Sequence, residues 1–224
     1  MIKNILSFLR SLRRNNNREW FNLNKDKYLA VKDEVEKLTE RLIVGIAEFD
    51  PEVAKLKPSD CLYRIYRDTR FSADKTPYKT HIGIYINPPY GKKSPRCGYY
   101  LHLEPDNVLV AGGCWCPDST ILKALRRDIF DNVEEYLEII DNPEYKKFFL
   151  PPGDNLLKTA PKGFPKDWEY IELLKPRDYT AYSPMDKTLT DSKDFELHVI
   201  ARMRAIKPLN DFFNYTIDEL SGRQ

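Results

Sequence analysis

Apolar residues recur at helical spacing from the start of the chain, at Ile2, Ile5, Leu6, Leu9 and Leu12, and predict an amphipathic first helix. The asparagine run at 15–17 supplies turn and N-cap chemistry, so a second and longer helix is expected from about Arg18. Trp20, Leu23, Tyr28, Val31, Val35, Leu38, Leu42 and Ile46 trace one face of it, until Asp50 and Pro51 stop it. From Cys61 the pattern changes to short apolar and aromatic runs bounded by proline and glycine, which predicts strands over 61–67, 80–87, 98–104 and 107–113. Turn residues Pro105, Asp106 and Asn107 are suited to join the last two as a hairpin. Helical period returns from Ser119 to about Asp141 through Ile121, Leu122, Leu125, Ile129, Val133, Tyr136 and Leu137. Residues 151–168 hold four prolines and two glycines and predict a long irregular connection, after which strands are expected over 169–174 and 178–183. A last helix is read from Asp194 to about Arg204, through Phe195, Leu197, His198, Ile200 and Ala201.

Helices, then a block of strands, then helices indicate an α+β fold: N-terminal helices, a mainly antiparallel sheet with covering helices, and a C-terminal helix. The expected organisation is one domain over 1–224, with a helical part at 1–50 and the sheet and its helices at 58–224.

Composition adds limits. With 42% hydrophobic and 31% charged residues the chain reads as globular and not disordered. Its longest apolar run, LIVGIA at 42–47, falls far short of the roughly 18 residues of a spanning helix, so no membrane insertion is expected. Arg10, Arg13 and Arg14 interrupt the first apolar stretch and no small-residue cleavage site follows, which argues against a signal peptide and for the cytoplasm. Cys61, Cys97, Cys114 and Cys116 are then expected to stay reduced; none forms a CxxC pair, although 114 and 116 would share a strand face.

Charge is the most telling feature. The whole chain carries 36 Lys and Arg against 34 Asp and Glu. The window RIYRDTRFSADKTPYKTH at 64–81 alone holds Arg64, Arg67, Arg70, Lys75 and Lys79 against Asp68 and Asp74, an excess of three. Arginine offers a rigid fork of donors that matches phosphate or carboxylate oxygens, and lysine adds a mobile point charge. The leading expectation is therefore a site for a small phosphate-like anion built from Arg64, Arg67, Arg70, Lys75, Tyr78 and Lys79. The competing structural reading is a network in which the arginines pair with Asp68, Asp74 and helix carboxylates to hold a loop. As a strand, 61–67 would send Arg64 and Arg67 to opposite faces, and a turn after Asp68 would be needed to bring them together. Asp68, between Arg67 and Arg70, is expected to be ionised and to orient guanidinium groups. A second basic stretch, PPYGKKSPR at 88–96, reads best as a solvated loop between strands.

Catalytic signatures are sparse. The sequence contains no GxSxG, no P-loop and no GxGxxG. It does not decide whether the chain is an enzyme; phosphoryl or phosphodiester chemistry would suit arginines that stabilise charge, with Asp68, Tyr78 and His81 as weak proton-transfer candidates. No cofactor is implied. His81, His102 and His198 show no ligand spacing, so no metal is expected, though His102 alternates with Tyr100 and Glu104 on one strand face, which allows a His–Glu contact. The alternative function, from a different class, is an interaction module that binds nucleic acid or an acidic protein through a positive face. Tyr63, Tyr66, Phe71, Tyr78, Tyr85, Tyr90, Tyr99 and Tyr100 interleave with the cations as stacking on bases would require, but a pI of about 8.2 is below the strongly basic range and no nucleic-acid motif is legible.

The run at 64–81, with NNNREWFNLNKDKY at 15–28 and GYYLHLEP at 98–105, resembles a mainly bacterial family of about this length, domain of unknown function 2461. The resemblance spans the chain, and its R-x-x-R-D-x-R-F and D-K-x-x-Y elements fall on Arg64, Arg67, Asp68, Arg70, Phe71, Asp74, Lys75 and Tyr78. It implies that the basic motif is a hallmark; it implies no activity, cofactor or substrate.

Overall fold

A computed structural model describes residues 1–89, 91–153 and 155–222. Tyr90, one of the interleaved aromatics, lies outside the described residues. The helices are α1 Ile2–Arg14, α2 Arg18–Leu23, α3 Lys25–Ala47, α4 Pro58–Cys61, α5 Ser119–Asp131, α6 Val133–Ile140, α7 Pro143–Lys146, α8 Lys187–Asp191 and α9 Phe195–Leu220. The strands are β1 Ile82–Ile86, β2 Tyr99–Glu104, β3 Asn107–Cys114 and β4 Tyr179–Met185, in one antiparallel sheet ordered β1-β2-β3-β4. The fold is α+β.

The described residues group into two compact units, and β3, β4 and α9 contribute to both. The first unit comprises Met1–Ser94, Tyr99–Val110 and Pro184–Ala201. In it α1 buries Ile2, Ile5, Leu9 and Leu12 of the predicted stripe and also Phe8, while Leu6 is only half-buried, and α3 buries Val31, Val35, Leu38, Leu42 and Ile46. The predicted helix from Arg18 is broken at Asn24, whose side chain donates to the Trp20 carbonyl and competes with the helical backbone. The break turns Leu23 out of the core, leaving it 80% exposed. Asn17 caps α2 by accepting from the Trp20 amide. The β2–β3 turn places Asp106 at φ 71, a conformation that aspartate tolerates better than most residues, and Arg13 of α1 holds it by donating to the Asp106 carboxylate and the Pro105 carbonyl.

The second unit comprises Pro95–Gly98, Ala111–Ser183 and Arg202–Gln224. Asn210 of α9 accepts from the Gly113 amide at 2.7 Å and donates to the Gly98 carbonyl, while Asn214 bonds both backbone groups of Cys97. These buried amides satisfy backbone groups that the ladder leaves open, which would otherwise cost roughly 1–3 kcal/mol each. The expected helix over 119–141 is divided at Asn132, whose side chain bonds Asp128. The segment 169–174 is not a strand but contains a 3-10 turn, Ile171–Leu174, because a short apolar run has no period to distinguish the two. α9 continues past Arg204 and through Pro208 to Leu220; buried Leu209, Phe212, Phe213 and Ile217 beyond the proline offset its missing N–H. Cys114 is buried while Cys116, at φ 47, is exposed, so the two thiols do not share a strand face.

Candidate functional site

The basic window lies wholly in the first unit. Residues 61–67 are not a strand; Leu62 makes a single bridge to Ile84 at the edge of β1, and the chain then pairs with itself. The Arg67 amide donates to the Pro77 carbonyl, the Lys79 amide donates to the Ile65 carbonyl, and Tyr66 bridges Tyr78. The result is an irregular hairpin whose tip carries residues 68–76 and whose base delivers Lys79, Thr80 and His81 to β1.

Asn16 fixes this base. Its side chain donates to the Tyr78 carbonyl at 2.8 Å and accepts from the Tyr78 amide at 3.1 Å, standing in for a neighbouring strand. The Tyr78 ring, 4% exposed, stacks on Phe21 with centroids 4.0 Å apart. Burial pushes its hydroxyl above the ordinary tyrosine value. Tyr78 is therefore a core residue that anchors the hairpin.

At the tip the arginines are occupied. Arg67 donates to Asp74 and Thr76. Arg70 grips Asp68 as a fork, Nε to Oδ1 at 3.0 Å and Nη2 to Oδ2 at 2.6 Å, and Lys75 donates to the Thr69 carbonyl. The Thr76 amide, with Arg67 and the Thr76 hydroxyl, holds the Asp74 carboxyl down to about 2. The Asp68 carboxyl is held below its usual value, first by the side chain of Arg70 and then by its amide. Both carboxylates are ionised and orient guanidinium groups. Arg67 and Arg70 are engaged by different carboxylates, Asp74 and Asp68.

Arg64 and Lys79 are arranged otherwise. Neither makes a hydrogen bond or ion pair among the described residues, and Lys79 feels the charge of Arg64. Lys79 lies over the Tyr63 ring, 5.4 Å from its centroid. Burial, and then repulsion from Arg64, lower the affinity of Lys79 for its proton.

Beside Lys79 is a cluster that joins the end of the window, Thr80 and His81, to residues of β1 and β2. In the β1–β2 register Gly83 faces His102 and Tyr85 faces Tyr100, so alternation puts His81, Gly83 and Tyr85 on the same face as Tyr100, His102 and Glu104. A Cβ on Gly83 would come within 2.8 Å of the Tyr100 hydroxyl; its absence lets the tyrosine ring lie across the strand. His81 and His102 stack with centroids 4.7 Å apart. The Tyr100 hydroxyl contacts His102 Nδ1 at 2.9 Å, His102 Nε2 contacts Glu104 at 3.3 Å, and the Thr80 hydroxyl donates to the other Glu104 oxygen at 3.1 Å. Burial raises the Tyr100 hydroxyl to about 12, which keeps it a donor. His102 thus bridges Tyr100 and Glu104 with one ring nitrogen each, which fixes its ring orientation from both sides. Burial works to raise the Glu104 carboxyl, but the bonds from His102 and Thr80 outweigh it and hold it low. His81 has neither ring nitrogen bonded among the described residues.

Sequence reasoning found His81 and Lys79 and noted a His102–Glu104 contact. It missed Tyr100, His102 and Glu104 as site residues; their alternation on β2 was the available signal. Among the described residues no group of three His, Cys, Asp or Glu is placed to hold a metal ion, and no helix is long and apolar enough to cross a membrane.

A family model described as "Conserved hypothetical protein (DUF2461)" matches residues 4–212. The chain belongs to this family. The match covers α1 through most of α9 and so takes in both the hairpin and the β1–β2 face. Neither a curated protein nor a solved structure matches the chain.

Proposed function

We propose that this member of the DUF2461 family binds a small phosphate-like anion at the base of the hairpin, through Arg64 and Lys79. One observation carries the reading: Lys79 feels the positive charge of Arg64, and neither cation makes an ion pair among the described residues. Like charges so placed are stabilised by a bound anion, and a guanidinium fork beside an ammonium suits phosphate oxygens. Arg67, Arg70 and Lys75 then shape the hairpin and do not bind the ligand directly.

A thermal-shift series with inorganic phosphate, nucleotides and sugar phosphates tests this. A ligand at about 100 times its Kd adds roughly 2.7 kcal/mol to stability. The shift is expected in the native protein and in Arg70→Ala, and is expected to vanish in an Arg64→Gln, Lys79→Gln double variant. No shift with any anion, or a shift that survives the double variant, ends the proposal.

A second reading is favoured by Phe71, 96% exposed beside Arg70, together with exposed Tyr66 and Tyr63. These are the components of a stacking surface for single-stranded nucleic acid. Oligonucleotide binding that weakens steeply with salt and is lost in Phe71→Ala supports this reading against the first.

A further inference from the structure

The β1–β2 face next to Lys79 carries a proton acceptor whose surroundings are well organised for an uncommitted side chain. His81 is half-buried, stacked on His102, and has both nitrogens open among the described residues. The second imidazole is fixed by Tyr100 and Glu104, and Glu104 in turn by Thr80. A ring held at 4.7 Å on a rigid partner is positioned without spending either of its nitrogens. Lys79, two residues away, brings its charge to the same place.

We propose that His81 is the general base of a phosphate-ester hydrolase, activating water against an ester whose phosphoryl oxygens are held by Arg64 and Lys79. The proposal rests on the anion site argued above. In the reaction, water oxygen bonds to phosphorus as the bond from phosphorus to the ester oxygen breaks. His81 takes one proton from the attacking water and releases it to solvent, and the departing alkoxide on the opposite side takes a proton from solvent, giving an alcohol and inorganic phosphate, so the step needs no oxidant or further reactant. Arg64 and Lys79 balance the charge on the non-bridging oxygens. Tyr100, His102 and Glu104 are positioning residues.

The protonation state fits the role. Burial and the neighbouring His102 and Lys79 favour neutral His81, with Glu104 opposing them, so its pKa lies below the ordinary histidine value. The groups that bear on it are Lys79 from the hairpin and His102 and Glu104 from β2, with Tyr100 on the same strand face.

The experiment pairs two readouts on the full chain: calorimetric binding of inorganic phosphate, and hydrolysis of p-nitrophenyl phosphate and bis-p-nitrophenyl phosphate. The native protein is expected to turn over at least one ester, with an acid limb in kcat/KM below about pH 6.5. His81→Asn is expected to lose about 10²–10⁴-fold in kcat while binding phosphate as the native protein does. Should His81→Asn fail to fold, His81→Ala with added imidazole serves instead, and activity is expected to return with imidazole concentration. Glu104→Gln is expected to shift the acid limb with a smaller loss. Phosphate binding without turnover of either ester, or turnover unchanged in the His81 variants, overturns the catalytic proposal and leaves the anion site standing. Absence of phosphate binding removes the anion site itself.

Discussion

The tip and the base of one hairpin carry the same residue types and put them to different use. At the tip, Arg67 and Arg70 are each answered by a carboxylate within seven residues along the chain, Asp74 and Asp68, and Lys75 by a backbone carbonyl. At the base, Arg64 and Lys79 make no ion pair among the described residues and Lys79 feels the charge of Arg64, while His81 has neither ring nitrogen bonded among those residues. A charge count over the window assigns the excess of three to the stretch as a whole; the pairing assigns it to Arg64, Lys75 and Lys79. Positive charge that is locally neutralised shapes the chain, and positive charge left over is available to a ligand. Two of the three arginines that make the motif conspicuous are thus taken up by carboxylates of the hairpin itself, and the proposed anion site falls to Arg64 and to Lys79, the lysine nearest the sheet.

The comparison can be broken most directly where the base is anchored. Phe21→Ala removes the ring on which Tyr78 stacks, and a buried Phe→Ala change of this kind costs about 3–5 kcal/mol, read by urea unfolding. If the base is as ordered as proposed, phosphate binding falls with it. Asn16→Ala leaves the Tyr78 amide and carbonyl unpaired and is expected to destabilise by about 2 kcal/mol in the same assay. A loss no greater than that of an ordinary surface substitution would show that the hairpin is held elsewhere.

The tip is sharpened by pH. The folded Asp74 carboxyl sits at about 2, below the roughly 3.9 of an unfolded chain, so its contribution to stability is present above pH 4 and is lost as pH falls toward 2. Asp74→Asn is expected to flatten that part of the stability profile and to leave the profile near neutrality parallel to the native one. The smallest effect is expected for Arg64→Gln, which removes a repulsion and no bond: a change within about 0.5 kcal/mol, with phosphate affinity lost. A large destabilisation in Arg64→Gln would instead make it a structural cation like its neighbours at the tip.

Much of the fold was legible because it follows from period and from turn residues. The stripe Ile2, Ile5, Leu9 and Leu12, the turn at Pro105 and Asp106, and the apolar positions of α3 each declare themselves within a few residues, whereas α9 buries Phe195, Val199 and Met203 and leaves the expected Leu197 exposed. The window 61–67 misled because alternation of Leu62, Arg64 and Tyr66 is strand grammar, while its backbone found partners at 77–79 within the same loop and not along the sheet. The divisions at Asn24 and Asn132 escaped for a related reason: hydrophobic period persists across a helix break when a single asparagine side chain takes over the local hydrogen bonding.

By itself the sequence determined the family, the α+β class, the local excess of positive charge and the alternation that sets Tyr100, His102 and Glu104 on one strand face. Only the tertiary structure decided which cations remain without a carboxylate, that Asn16 acts as a strand for Tyr78, and that His81 stacks on His102. The physical reason is the range of the interactions. Helical and strand periods are properties of neighbouring residues, whereas the partner of a guanidinium, an amide or an imidazole is whatever the folded chain brings within a few ångströms, and a sequence states only which partners it has to offer.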